Sequence, residues 1–185
     1  MHLEFLVEEY SSQVFLELIL PKILDRDITF NIHPFQGKPD LLKKLPARLK
    51  GYKAWITDDW KIVILLDRDR EDCQKLKHKL EKIASDVDLL TKSSATNKQK
   101  FQVLNRIIIE ELEAWFFGDI EAIIKAYPRI NKNLANKSKY RDPDAIKGGT
   151  WEALETILQK AGYHLGGLDK SQAAREIASY QKKWV

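Results

Sequence analysis

Two hydrophobic rhythms divide this chain: short apolar runs, and stretches whose apolar residues return every three or four positions. Ile62 to Leu66 is apolar without interruption, as expected of a strand buried on both faces of a parallel sheet. Leu3 to Val7 and Ile28 to Phe35 read as two earlier strands, the second favoured by Thr29, Phe30 and Ile32. Phe101 to Ile109 reads as the last. Between them the pattern predicts a helix from Ser12 to Leu24 and, after the Gln36-Gly37-Lys38-Pro39 turn, a short helix from Asp40 to Leu49 interrupted by Pro46. A third helix runs from Arg70 to Asp88 on the stripe Cys73, Leu76, Leu80, Ile83 and Val87. Thr91 to Lys100 is polar and aperiodic, a mobile loop. Strands alternating with helices imply a parallel sheet with covered faces.

Past about Glu110 the strand pattern stops. Ile120, Ile123, Ile124 and Tyr127 form one helical stripe, ended by Pro128. Trp151, Leu154, Leu158 and Ala161 form a second that ends at Gly162, with Thr150 as its expected N-cap. Ala173, Ala174, Ile177 and Ala178 form a third. The chain thus divides into an α/β core, residues 1–117, and an all-helical part, residues 118–185, packed on the core or continuous with it.

Composition narrows the class. With 185 residues and 44% hydrophobic content the chain can bury one good core. No apolar run is long enough for a membrane span and no segment reads as a secretory signal, so a cytoplasmic protein is expected. The single cysteine, Cys73, excludes an internal disulfide and belongs to a core stripe. The four histidines show no zinc spacing. A net charge of +4 and a pI near 9.0 point weakly to an anionic partner. Lys43, Lys44 and Arg48 precede Tyr52 and Trp55, a basic and aromatic mixture suited to phosphates and bases.

Candidate chemistry sits at strand ends. Asp67 and Asp69 follow the apolar run directly, and on an extended segment they would point the same way. Two convergent anions need a cation or strong donors, and magnesium suits them because it takes oxygen ligands. Asp69 as N-cap of the next helix is the competing reading. Glu8 closes the first strand and adds a second acidic strand end, although acids at a helix start also gain a few tenths to about one kcal/mol from the helix dipole.

A Glu after the first strand and an Asp-X-Asp after a later one resemble the Toprim pattern of topoisomerases, bacterial primases and OLD-type nucleases. More of the chain resembles an uncharacterised bacterial Toprim-like family, domain of unknown function 4276. The matching blocks are Leu6-Val7-Glu8-Glu9, Phe35-Gln36-Gly37-Lys38-Pro39-Asp40, Leu66-Asp67-Arg68-Asp69 and Ile109-Glu110-Glu111-Leu112-Glu113-Ala114-Trp115. Tyr140-Arg141-Asp142-Pro143-Asp144 and Gly148-Gly149-Thr150-Trp151-Glu152 complete them. The chain departs from Toprim proteins in having Glu9 where they place Gly, and from the family over Tyr180 to Val185.

The resemblance implies a Toprim-like, Rossmann-like fold: a mostly parallel sheet flanked by helices, with the helical C-terminal part following it. It also implies a magnesium- or manganese-dependent nuclease or phosphodiesterase. Glu8, Asp67 and Asp69 would hold the metal, with Glu8 or Glu113 as general base. The Glu110, Glu111 and Glu113 run is otherwise ordinary dipole complementarity, and if helical it puts Glu110 and Glu113 on one face. Lys43, Lys44 and Arg48, together with Lys139 and Arg141, would hold nucleic acid, DNA or RNA. Lys139 to Thr150 reads either as a phosphate-contacting loop at a helix start or as a plain connector. No Tyr is placed for covalent strand transfer. The family pairs with ATPases of OLD or ABC type in settings that suggest phage defence. The alternative from another class is a non-catalytic regulatory or binding subunit of such an ATPase complex.

Overall fold

All four strands that form are parallel, because each is joined to the next by a crossover long enough to hold a helix. The computed structural model describes residues 1–69, 71–96 and 99–182. Arg70, where the pattern starts the third helix, lies outside them, as do Asn97 and Lys98 of the polar loop and Trp184. In chain order the elements are β1 (His2–Val7), α1 (Tyr10–Ile23), β2 (Thr29–Pro34), α2 (Lys38–Lys53), β3 (Trp60–Asp67), α3 (Cys73–Ser85) and β4 (Val103–Ile108). The sheet order is β2-β1-β3-β4, a Rossmann-like α/β arrangement. Val7 lies beside both Pro34 and Leu65, and Asp67 lies beside Ile108. Between β1 and β3 the strand order changes direction, the switch point at which open α/β sheets bind ligands beyond their carboxyl ends.

The sheet belongs to the first of two compact units, residues 1–13 and 25–108. On one sheet face Leu6, Ile62, Ile64 and Leu66 meet Leu41, Leu45, Leu49 and Tyr52 of α2 and Leu76, Leu80 and Ala84 of α3. Helix α2 continues through Pro46, where the sequence predicted an interruption, and starts at Lys38 rather than Asp40. The reason is energetic. An interior proline costs about 3 kcal/mol. Fully burying each leucine of the stripe contributes about 1.5–3 kcal/mol, and Leu41, Leu45 and Leu49 are all wholly buried. Pro46 lies on the exposed side, where water can serve the carbonyl that its missing N–H leaves behind.

Helix α3 begins later than expected, at Cys73. Its cap is Asp72, whose carboxylate accepts the Lys75 N–H at 2.8 Å, so Asp69 is not the N-cap. The polar segment after α3 is anchored at its start. Thr91 is buried, bridges to Val103, and donates its hydroxyl to Glu81, which also accepts from Asn105 at 2.9 Å.

The second unit comprises residues 14–24 and 109–185. Its further elements are α4 (Leu112–Phe117), α5 (Ile120–Ala126), three short 3-10 turns, α6 (Thr150–Lys160) and α7 (Lys170–Tyr180). Phe15 packs on Trp115 and Phe116 with ring centroids 5.7 and 5.5 Å apart. Lys22 closes the end of α7, donating to the carbonyls of Ala178 at 2.7 Å and Gln181 at 3.0 Å. Gly162, at φ 77, ends α6 in the left-handed turn that places the Tyr163 N–H 2.9 Å from the Leu158 carbonyl.

Pro46→Ala restores a helix donor on an exposed turn without touching the leucine stripe. It should stabilise the protein by about 1–3 kcal/mol, measured by urea unfolding with an unchanged m-value. A destabilised variant would show that α2 needs the proline.

Candidate functional site

Parallel pairing brings the ends of β1 and β3 side by side, and with them Glu8 and the Asp67–Asp69 segment. The Asp67 N–H donates to Glu8 Oε2 at 3.3 Å. Extended geometry ends there. Arg68 still donates its N–H to the Ile108 carbonyl at 2.9 Å, but Asp69 adopts φ 50. This left-handed turn separates the two aspartates that the sequence expected to point alike. Asp67 continues the side of β3 that carries Val63 and Leu65 and is buried. Asp69 turns to Lys38, whose Nζ lies 2.7 Å from its carboxylate.

Lys38 arrives by way of the turn after β2. Phe35 donates to the Val7 carbonyl at 3.0 Å, and Gly37, at φ 87, donates to the Glu8 carbonyl at 2.9 Å. The turn is thereby fixed against the end of β1 and starts α2 with Lys38. This side chain is largely buried. Its ammonium sits 2.9 Å from Glu71 and 3.3 Å from the Arg68 carbonyl. Burial alone would depress its pKa, but Asp69 and Glu71 together raise it above the ordinary lysine value. Glu8 shifts up instead. Burial is the main cause and the charge of Asp69 the next, only partly offset by the Asp67 N–H and by Lys38. At this edge Asp69 and Glu71 pair with the Lys38 ammonium, while Glu8 accepts the Asp67 N–H. Among the described residues no three His, Cys, Asp or Glu side chains already form a metal-binding group.

Lys38 and Glu71 are the two members of this edge that the sequence reading did not assign to the site. A lysine between a turn glycine and a proline at a helix start was the signal available for Lys38. Nothing in the sequence spacing marked Glu71.

The other expected site residues fall elsewhere. Glu110 is not on the α4 face, because it takes φ 60 before the helix starts at Leu112. Glu111 has a structural job: its carboxylate accepts the Thr150 hydroxyl at 2.9 Å and the Trp151 N–H at 3.2 Å. Thr150 is therefore the first residue of α6 and not its N-cap, and the phosphate-type position at that helix start is filled by a carboxylate of the protein itself. Glu113, in the second unit, is buried, with Lys170 3.7 Å away. Lys43, Lys44 and Arg48 lie on the exposed side of α2; Lys44 pairs with Asp40 at 2.7 Å and Arg48 reaches over the Tyr52 ring. Lys139 and Arg141 are exposed in the second unit, with the Lys139 ammonium over the Tyr140 ring.

The chain belongs to the DUF4276 family. The model of this domain of unknown function matches residues 7–182, which takes in Glu8, Lys38, Asp67, Asp69 and Glu71. No curated protein and no solved structure matches the chain. No helix of the described residues is long and apolar enough to cross a membrane. Within this DUF4276 chain, then, the acidic edge rests on its own geometry.

The raised pKa of Glu8 gives a pH dependence of known sign. A carboxyl whose folded pKa exceeds its unfolded value contributes stability below the unfolded value, and that contribution is lost as pH rises through the folded value. Between the ordinary carboxylate range and neutrality the wild type should lose stability relative to Glu8→Gln, which keeps an acceptor for the Asp67 N–H but no charge. Urea unfolding across pH 4–8 checks this; identical pH profiles would mean that Glu8 is not perturbed.

Proposed function

We propose that this protein is a metal-dependent nuclease or related phosphodiesterase of Toprim type, acting on nucleic acid. The observation that carries the proposal is the acidic edge at the β1–β3 switch point, where burial and Asp69 hold the carboxyl of Glu8 above its ordinary pKa. Such a group favours any added cation. Its donors are all oxygen, which suits magnesium or manganese and not a thiolate metal. Glu8 and Asp67 would hold the ion, joined by Asp69 once its carboxylate exchanges Lys38 for the metal. Magnesium commonly rests on one or two carboxylates plus water and substrate phosphate, so a closed cage of three acids is not required. When bound, the ion supplies charge neutralisation at the phosphate and a more acidic water.

The chain's own groups do the rest. The Asp67 N–H fixes one carboxylate oxygen of Glu8, leaving the group oriented toward the edge. Glu8, if it does not ligate the ion directly, would take the proton of the attacking water as the new P–O bond forms and the ester P–O bond breaks. Lys38 holds Asp69 and Glu71 in place. Glu113, paired with Lys170, is given no part. Lys43, Lys44 and Arg48 offer a basic stripe on α2 for the polyanion, and Lys139 and Arg141 a second basic patch. The Toprim-like resemblance adds an ATPase of OLD or ABC type as partner and phage defence as setting.

One observation favours the second reading, a non-catalytic regulatory or binding subunit of such an ATPase complex. Lys38 already neutralises Asp69 and Glu71, so the edge can stand as a structural ion network without metal.

Purified protein with magnesium or manganese should cleave DNA or RNA, and Asp67→Asn and Glu8→Gln should abolish cleavage while leaving most nucleic-acid binding. Manganese should raise the melting temperature of wild type and not of Asp67→Asn. Equal shifts in the two proteins would remove Asp67 from the ligand set, and undiminished cleavage by both acid variants would assign the activity elsewhere.

Reversing Lys43 and Lys44 to Glu tests the division of labour. Binding should weaken and its salt dependence flatten, because fewer counterions are released, while turnover of saturating substrate changes much less. An unchanged salt slope would take α2 out of the binding surface.

A further inference from the structure

A buried carboxylate within β1 lies under a hollow that the acidic edge does not use. Glu4, in the middle of β1, is 4% exposed and accepts from four side chains. His2 Nε2 at 3.0 Å and Asn31 Nδ2 at 3.1 Å reach one oxygen. The Tyr52 hydroxyl at 2.8 Å and His33 Nε2 reach the other. A core position would be served as well by a leucine, since a buried ionic group costs desolvation that its partners only partly return. Keeping a charge here orders four polar side chains. Two of them, His33 and Tyr52, are walls of the hollow.

That hollow, about 440 Å3, is lined by Glu4, His33, Ala47, Arg48, Gly51, Tyr52 and Trp55. A neighbouring hollow of about 560 Å3 shares His33, Ala47 and Arg48 with it and adds Lys44 and Gln36. The volumes are those of small-ligand sites. Arg48 and His33 line both hollows, and Lys44 lines the second beside its partner Asp40. Trp55 also lines the first hollow; it is 52% exposed, with Trp60 edge-on to it at 4.9 Å and Tyr52 tilted against it at 5.4 Å. An exposed tryptophan locked by two aromatic neighbours is a stacking surface of low entropic cost.

Gly51 is the third clue. It lies inside α2, where glycine is less stable than alanine, and a Cβ placed on it meets nothing within 4 Å. Neither crowding nor backbone conformation accounts for it. Its missing side chain leaves the hollow open.

We propose that this hollow binds a single nucleotide unit, with the planar base on Trp55 and the phosphate on Arg48 and His33, the latter steered by Glu4. The shared chemistry, a phosphate next to an aromatic base, can come from a free nucleoside monophosphate or from an unpaired nucleotide of a strand. This site does not depend on metal or on hydrolysis at the acidic edge.

The test is done in EDTA, so that failure of the metal-dependent reading leaves it unaffected. Tryptophan fluorescence and calorimetry follow the binding of adenosine monophosphate, of a short single-stranded oligothymidylate, and of inorganic phosphate. Saturable binding of the nucleotide or the oligonucleotide, at least tenfold tighter than phosphate, is expected. A preference for the monophosphate identifies the free nucleotide as ligand, and a preference for the oligonucleotide identifies the strand. Arg48→Ala and Trp55→Ala should each weaken binding at least tenfold. Gly51→Leu should do the same while holding or raising the melting temperature, because it fills the hollow and improves the helix. No binding by either probe, or undiminished binding by a folded Gly51→Leu, overturns the proposal.

Discussion

One buried ammonium governs the carboxyl edge of the sheet. Parallel strands put the ends of β1 and β3 together, and the chain places acids at both. Without a cation that arrangement would be repulsive, and Lys38 supplies one from α2, 2.7 Å from Asp69 and 2.9 Å from Glu71. Its position depends in turn on backbone bonds: Gly37 to the Glu8 carbonyl and Phe35 to the Val7 carbonyl lock the turn that starts α2. Turn, helix start and acid pair are therefore one device. A glycine at φ 87 is what lets the chain reverse tightly enough to deliver the lysine.

How much of this was legible in the sequence depended on range. Strands such as Ile62–Leu66 and the leucine stripe of α3 follow from periodicity, because burial repeats with local geometry. The parallel sheet and the shared edge of Glu8 and Asp67 followed from the alternation of elements. Three features did not. Pro46 was expected to break α2, but tertiary burial of Leu41, Leu45 and Leu49 outweighs a local penalty that spacing alone cannot weigh. Asp69 was placed with Asp67 on an extended segment, but it takes a left-handed turn and pairs with Lys38, thirty-one positions earlier in the chain. Glu111 looked like one more acid in a helix start, and its actual partners, Thr150 and Trp151, come from the next long helix. In each case a long-range contact decides between local options that are close in energy.

Glu4 of β1 and Glu8 just beyond its end show why a desolvated carboxylate does not by itself identify a cation site. Glu4 lies within β1, and Glu8 follows directly after its last residue, Val7. Burial would raise both. For Glu4 the bonds from Tyr52, Asn31, His33 and His2 outweigh burial and carry its pKa below the ordinary value. For Glu8 burial prevails, with Asp69 adding to it. One carboxylate is saturated with donors and stable as an anion without help; the other is short of positive charge. What each can recruit is therefore opposite in sign. A saturated anion has nothing left to give a cation, and acts only through the side chains it orients, His33 and Tyr52. Against burial and the charge of Asp69, Glu8 has the Asp67 N–H and the charge of Lys38, and these do not bring its pKa back to the ordinary value.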